Sequence, residues 1–247
     1  MRAIKFNLSG QTAFFKKTDV NQNVYFTYSH IHKIALLGII GSIIGLDGYS
    51  KQYARATQHP EFYEKLKNIK ISIVPQGGNN GYFHKKIIIF NNTTGFASKE
   101  KGGALNIREQ WLLDVNWDIY ILDDSSEMYK EIEDYLINKK SVYIPYLGKN
   151  DHYANISNVQ IVNLTETNNV SYIHSLYISE NDDIVVDKDS ITHDEEEVSR
   201  YFEYLPYELD SNNLYKFKLF TFTNLSLKIN NNNNKIYNYN NNNLMFI

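Results

Sequence analysis

Thr27–Gly48 reads TYSHIHKIALLGIIGSIIGLDG, and the way this stretch folds decides how the rest of the chain can be arranged. It opens on Tyr28, Ser29, His30, His32 and Lys33, then runs apolar from Ile34 to Leu46, interrupted only by Gly38, Gly41, Ser42 and Gly45. Ser29 is a good N-cap, so the pattern predicts a helix that starts there. Glycines three and four apart share one helix face. Each costs roughly 0.5–1 kcal/mol against alanine, so something must approach that face closely. Close packing of the helix on a sheet is the plain expectation. The polar opening is a different matter: free N–H groups beside Ser, His and Lys form a natural seat for an anion or phosphate.

Working outward, Arg2 to Leu8 alternates polar and apolar residues, the mark of a half-buried strand. Phe14-Phe15-Lys16-Lys17 opens a loop that leads into the helix. Tyr49 to Asn68 reads as exposed helix broken at Pro60. Ile69 to Pro75 is a short strand. Residues 76–109 form a long basic excursion, with a turn cluster at Gln76–Gly81, an apolar strand from Ile87 to Phe90, and a glycine- and lysine-bearing stretch before Arg108. Trp111 to Leu122 is the clearest strand. Ser125 or Ser126 caps a helix that runs to Asn138, and Ser141 to Tyr146 reads as the fourth strand. The order strand, helix, strand, strand, helix, strand is a split βαβ arrangement. The expected fold class is therefore α+β, a ferredoxin-like βαββαβ core with an inserted thumb-like hairpin at about 76–109 and a β-rich C-terminal part. With helices on one sheet face, the other is left open for single-stranded RNA. The core should occupy 1–150 and the β-rich part 151–229. The asparagine-rich residues 230–247 should be disordered.

The 247 residues suffice for a sizeable core. Without cysteine there are no disulfides and no thiolate metal sites. The apolar run from Ile34 to Leu46 is too short for a membrane span of roughly 20 residues, and the first residues do not read as a signal peptide, so a cytoplasmic protein without membrane contact is expected. The net charge of −3 is unevenly spread. Residues 1–110 carry 15 Lys+Arg and 6 Asp+Glu, a balance of +9, whereas 111–247 carry 10 and 22, a balance of −12. A basic face for a polyanion and an acidic face turned elsewhere would follow. Twenty tyrosines offer rings for stacking.

Three blocks, FFKKTDVNQNVYFTYSHIHKIALLGIIGSIIGLDGY at 14–49, IREQWLLDVNWDIYIL at 107–122 and VYIPYLGKNDHYANI at 142–156, resemble the fifth Cas family of CRISPR-associated proteins, within the RAMP superfamily, most closely its type I-B subtype. The resemblance implies a non-catalytic subunit of a Cascade surveillance complex in antiviral defence. Such a subunit binds and caps the 5′ handle of the CRISPR RNA, contacts the backbone and large subunits, and meets target DNA only indirectly. It uses an excursion from the sheet as a thumb on the RNA.

On this view phosphate contacts would come from Lys16, Lys17, Lys33, Lys85, Lys86 and Arg108, with Ser29 and His30 at the helix start. Tyr25, Phe26 and Tyr28 would stack, and Lys149 and Asn150 would read bases or a neighbouring subunit. Lys85 and Lys86 are adjacent in an extended segment, so only one of them should face the RNA. The alternative is a metal-independent endoribonuclease that processes repeat RNA, as in type I-C relatives. Tyr28, His30, His32 and Lys33 would then supply general base, general acid and cation. Neither reading requires a metal or other cofactor.

Overall fold

The chain begins with β1 (Arg2–Ala13) and continues through α1 (Lys33–Ile44), α2 (Tyr49–Arg55), α3 (Glu61–Leu66), β2 (Ile71–Pro75), β3 (Lys85–Asn91), β4 (Asn106–Leu122), α4 (Glu127–Ile137) and β5 (Asn155–Asn163). The computed structural model describes residues 1–19, 23–77, 79–180, 183–188, 198–230 and 235–247. The main sheet is antiparallel throughout, ordered β2–β4–β1–β5, with β3 pairing the outer half of β4. The architecture is thus α+β with antiparallel sheets. Alternation in β1 and β4 sends Ile4, Phe6, Leu8, Trp117, Ile119 and Ile121 to one face. There they meet Leu36, Leu37 and Ile40 of α1 and Ile132 and Leu136 of α4.

Helix α1 is capped by His32, not by Ser29. His32 is extended (φ −99°, ψ 162°), and its Nδ1 accepts the Ala35 N–H at 3.2 Å. Ser29 is otherwise engaged: its N–H donates to Glu203 Oε2 (2.8 Å) and its Oγ accepts from Lys85 Nζ (2.7 Å). The close neighbour at the glycine face is a helix and not the sheet. A Cβ on Gly41 would lie 2.6 Å from Phe62 Cβ in α3.

Two further expectations fail. Ser141–Tyr146 joins no sheet among the described residues, with only an isolated bridge from Tyr146 to Tyr153, and the fourth strand of the sheet is β5, paired to β1 from Arg2↔Asn163 to Ser9↔Asn155. A boundary at residue 150 therefore cuts the sheet short of its last strand. The sheet's second face is also not open. Lys5 pairs with Asp118 at 2.8 Å, and Tyr237 and Leu244 pack with Ala3, Tyr120 and Val162.

The remaining strands are β6 (Thr165–Thr167), β7 (Tyr177–Ile178), β8 (Ile184–Val186), β9 (Arg200–Leu209), β10 (Tyr215–Thr223), β11 (Leu227–Ile229), β12 (Ile236–Tyr239) and β13 (Asn242–Met245). They form sheets β7–β10–β9 and β6–β12–β13 and the pair β8–β11. Residues 235–247 are ordered, against the expectation of disorder. Asn240 and Asn241 take left-handed φ (47° and 65°) in the β12–β13 turn, and Ile247 exchanges two backbone hydrogen bonds with Ile71. Much of the acidic 180–197 stretch, and 231–234 of the asparagine tract, lie outside the described residues. Among the described residues no single helix is long and apolar enough to cross a membrane.

Candidate nucleic-acid interface

The residues that carried the acid–base reading lie in the core. His30, His32, Lys33 and Tyr28 are exposed by only 2%, 5%, 5% and 3%. His30 sits edge-on to Phe83 and Tyr201, and its Nδ1 accepts from Trp117 Nε1 at 3.3 Å. Burial, reinforced by the nearby Lys85 ammonium, pulls its pKa down to about 3; burial alone does the same to His32. Near neutral pH both are uncharged, poor acids and poor bases. Lys33 turns its Nζ over the Tyr207 ring (4.6 Å to the centroid), and burial lowers its pKa to about 8. These four side chains are packing groups, and Lys33 does not reach the solvent face of the helix start.

The charge map is also less lopsided in space than in sequence. Lys17 is ion-paired with Glu203, whose Oε2 also accepts from Tyr201 OH (2.9 Å) and the Ser29 N–H. Arg2 meets Asp123 and Glu133 across the same divide. The acidic half thus neutralises part of the basic half instead of turning away from it. Lys85 spends its ammonium on Ser29, and burial lowers its pKa.

Of the remaining candidates, Lys16, Tyr25 and Lys149 line one open groove of about 1240 Å³. One wall is the hairpin of β3 and β4, which contributes Phe90, Ile107 and Glu109. Residues opposite each other across two strands share a face. Phe90↔Ile107, Ile88↔Glu109 and Lys86↔Trp111 therefore lie on the groove side, and Lys85, Ile89 and Arg108 on the other. Of the adjacent lysines, Lys86 is the one on the groove side and is exposed, while exposed Arg108 looks away. Lys16 lines the floor, with its Nζ 4.0 Å from the centroid of Tyr25. The wall opposite the hairpin holds Tyr49 and Lys51 of α2 and Tyr143, Ile144 and Tyr146 of the segment after α4.

Lys149 enters on the 147–152 loop. Gly148 lets that loop lie against the β1 end, since a Cβ there would fall 1.9 Å from the Phe14 carbonyl oxygen at φ +93°. Thr12 Oγ1 and His152 Nδ1 are 2.7 Å apart, and the His152 ring stands edge-on to Trp111 at 4.6 Å. Burial, then the Lys149 ammonium, hold the His152 imidazole below its usual range. Lys149 Nζ pairs with Glu109 at 3.0 Å, and Glu109 also accepts from Trp111 Nε1 at 2.9 Å. Asn150 is exposed beside it. Of the residues singled out from the sequence, Lys16 and Lys149 line this groove and Lys86 lies on the same face of the hairpin; Tyr49, Lys51, Tyr143 and Tyr146 line it too and were not singled out. Tyrosine abundance was the available signal for the rings. Among the described residues no three His, Asp or Glu side chains gather as a metal ion would require.

Chemically, this is a surface for stacking planar groups with scattered cations for phosphate. Lys16, Lys51 and Lys149 are offset by Asp47, Glu109 and Asp151, so the rings distinguish it more than the net charge does. No family model matches the chain, and no curated protein does either. Solved structures similar in fold include the following two. A CRISPR protein from Archaeoglobus fulgidus superposes with a TM-score of 0.52 at 10% identity, covering 99% of this chain and 98% of that one. A chain of a CRISPR RNA-guided surveillance complex gives a TM-score of 0.52 at 10% identity, covering 91% and 90%. The shared fold extends over nearly the whole chain.

Proposed function

We propose that this chain is a CRISPR RNA-binding subunit of a surveillance complex, of the fifth Cas family and type I-B subtype, working without catalysis in the cytoplasm. The sheet order β5–β1–β4–β2 with helices α1 and α4 on one face supports reading the core as ferredoxin-like. The β3–β4 hairpin is then its thumb. The observation that carries the proposal is the groove between that hairpin and the Tyr49/Tyr143/Tyr146 wall, where unpaired nucleotides of the 5′ handle can stack while Lys16, Lys51, Lys86 and Lys149 meet phosphates. The fold shared with a chain of an RNA-guided complex agrees with it. Burial of Tyr28, His30, His32 and Lys33 speaks against the processing nuclease. The backbone and large subunits would be its protein neighbours, with target DNA met through them.

Incubating the purified chain with intact CRISPR repeat RNA in EDTA tests the proposal. The expected result is salt-sensitive binding, tighter than to an unrelated single strand, with the RNA left uncut. Metal-independent cleavage, or equal affinity for the unrelated strand, would overturn it.

A further inference from the structure

Strand β5 ends the main sheet, and its outer side has no strand beside it among the described residues. Met1 and Leu164 exchange both backbone hydrogen bonds (2.8 and 2.7 Å), which sets the alternation along β5. Leu164 and Val162 turn their backbone groups toward β1, and Asn163 and Ile161 turn theirs outward. Natural sheets guard such an edge with charges, proline or a bulge. The sequence of β5, NISNVQIVN, has no charge and no proline. A bulge at Asn158 (φ 52°) interrupts the pairing with β1 and leaves Ile161–Asn163 as the usable edge.

Beside this edge, between β5 and the end of α4, lies a second hollow of about 450 Å³. Its apolar lining includes Ile43, Leu136, Pro145, Ile156 and Val159, and Ile137 and Ile161 lie exposed on the same two elements. Among the described residues the charged ones that line it are Lys139 and Lys140, with no carboxylate. Lys140 is shared with Asp134 at 2.9 Å. Lys139 occupies the left-handed position that closes α4: its N–H donates to the Leu136 carbonyl, and the Lys140 N–H donates to that of Tyr135, at φ 53°. Glycine suits that position best. Here a cation stands in it, at a backbone cost, on the rim of an apolar hollow next to a strand whose Ile161–Asn163 end, past the bulge, carries no charge and no proline.

We propose that this edge binds an extended acidic–apolar segment of another protein by strand addition. The segment's backbone pairs with Ile161 and Asn163, an aliphatic side chain enters the hollow, and carboxylates face Lys139 and Lys140. The inference does not depend on the RNA-binding proposal.

The test is fluorescence anisotropy of the full chain with a labelled short peptide of alternating Asp and Val. Two twins accompany it, one with Lys in place of Asp and one N-methylated at alternate residues. The Asp–Val peptide should bind, and both twins should fail. Lys139→Glu should weaken binding roughly tenfold. Lys139→Gly separates recognition from folding, because it should raise the melting temperature while weakening the peptide several-fold. Equal binding by either twin, no Asp–Val binding at millimolar peptide, or unchanged affinity in both Lys139 variants would overturn the proposal. So would displacement of the peptide by repeat RNA together with an equal loss of RNA affinity in Lys139→Glu, since the edge would then belong to RNA.

Discussion

Two regions of the molecule carry residues of similar chemistry and use them in opposite ways. Residues 28–33 bring Tyr, Ser, His, His and Lys together at the start of a helix, and the fold consumes all of them. His30 is closed in by Trp117, Phe83 and Tyr201, His32 caps α1, and Lys33 lies over Tyr207. Residues 143–151 bring Tyr, Tyr, Lys and Asn, and Tyr143 stands 54% exposed and Tyr146 45%. Residue type names the chemistry available; burial decides which partner receives it. In the first region the partners are other side chains of the chain; in the second Lys149 is paired with Glu109, but the rings of Tyr143 and Tyr146 stand exposed, so an external ring can meet them.

The largest effect expected from this contrast is acid instability centred on the first region. His30 and His32 have folded pKa values of about 3, whereas an unfolded histidine titrates near 6.5. Above pH 6.5 both states leave them neutral and they add no pH dependence. Below it the unfolded chain takes up two protons that the folded chain refuses until about pH 3. Stability should fall by up to about 1.4 kcal/mol per pH unit for each histidine, on the order of 5 kcal/mol in all by pH 4.5. Urea melts between pH 7.5 and 4.5, followed by the fluorescence of Trp111 and Trp117, measure this. His30→Gln should remove about half the slope while the folded protein binds RNA as before. A flat stability profile, or loss of RNA affinity in the folded variant, would place His30 at the surface site and collapse the distinction.

The same contrast explains what could be foreseen. β1, β4, α4 and the β3–β4 hairpin were legible because period-2 and period-3.6 patterns survive any tertiary arrangement. Ser141–Tyr146 has strand-forming residues, yet the Val142 and Tyr143 N–H groups donate to the carbonyls of Ile43 and Ser42 at the end of α1. The helix end, with its unpaired carbonyls, took the backbone that a sheet would have used. The asparagine tract read as disorder by composition, but Asn tolerates left-handed φ, and Asn240-Asn241 make the hairpin turn. The helix cap and the burial of residues 28–33 were illegible because Glu203, Tyr201 and Tyr207 come from β9, more than 160 positions downstream in the chain. Local sequence carries no trace of that contact.

The second region should lose RNA affinity without losing stability. Base–aromatic stacking contributes roughly 1–3 kcal/mol per base. Tyr143→Ala and Tyr49→Ala should each weaken repeat RNA about 5- to 150-fold in an anisotropy titration, with melting temperatures close to that of the parent. Tyr28→Phe keeps the buried ring and should leave RNA affinity unchanged. If Tyr28→Phe weakened RNA more than Tyr143→Ala did, the accessible ring would not be the binding ring.

The smallest effect separates two lysines that composition cannot tell apart. Lys17 is ion-paired with Glu203, which also holds Ser29 and Tyr201, so its charge is already answered within the fold. Lys86 is exposed on the groove side of the hairpin, opposite Trp111, and among the described residues it has no carboxylate partner. A lysine that contacts a single-strand phosphate releases a counterion when it binds, so its removal should lower the salt slope of log K by about 0.7. Lys86→Ala should show that decrement and a loss of about 1 kcal/mol in binding at low salt. Lys17→Ala should leave the slope untouched. It should instead lower stability, because Glu203, with a side chain only 13% exposed, is deprived of its cation. The reverse assignment, with a slope change in Lys17→Ala and none in Lys86→Ala, would mean that RNA pulls Lys17 away from Glu203 and that the first region opens on binding.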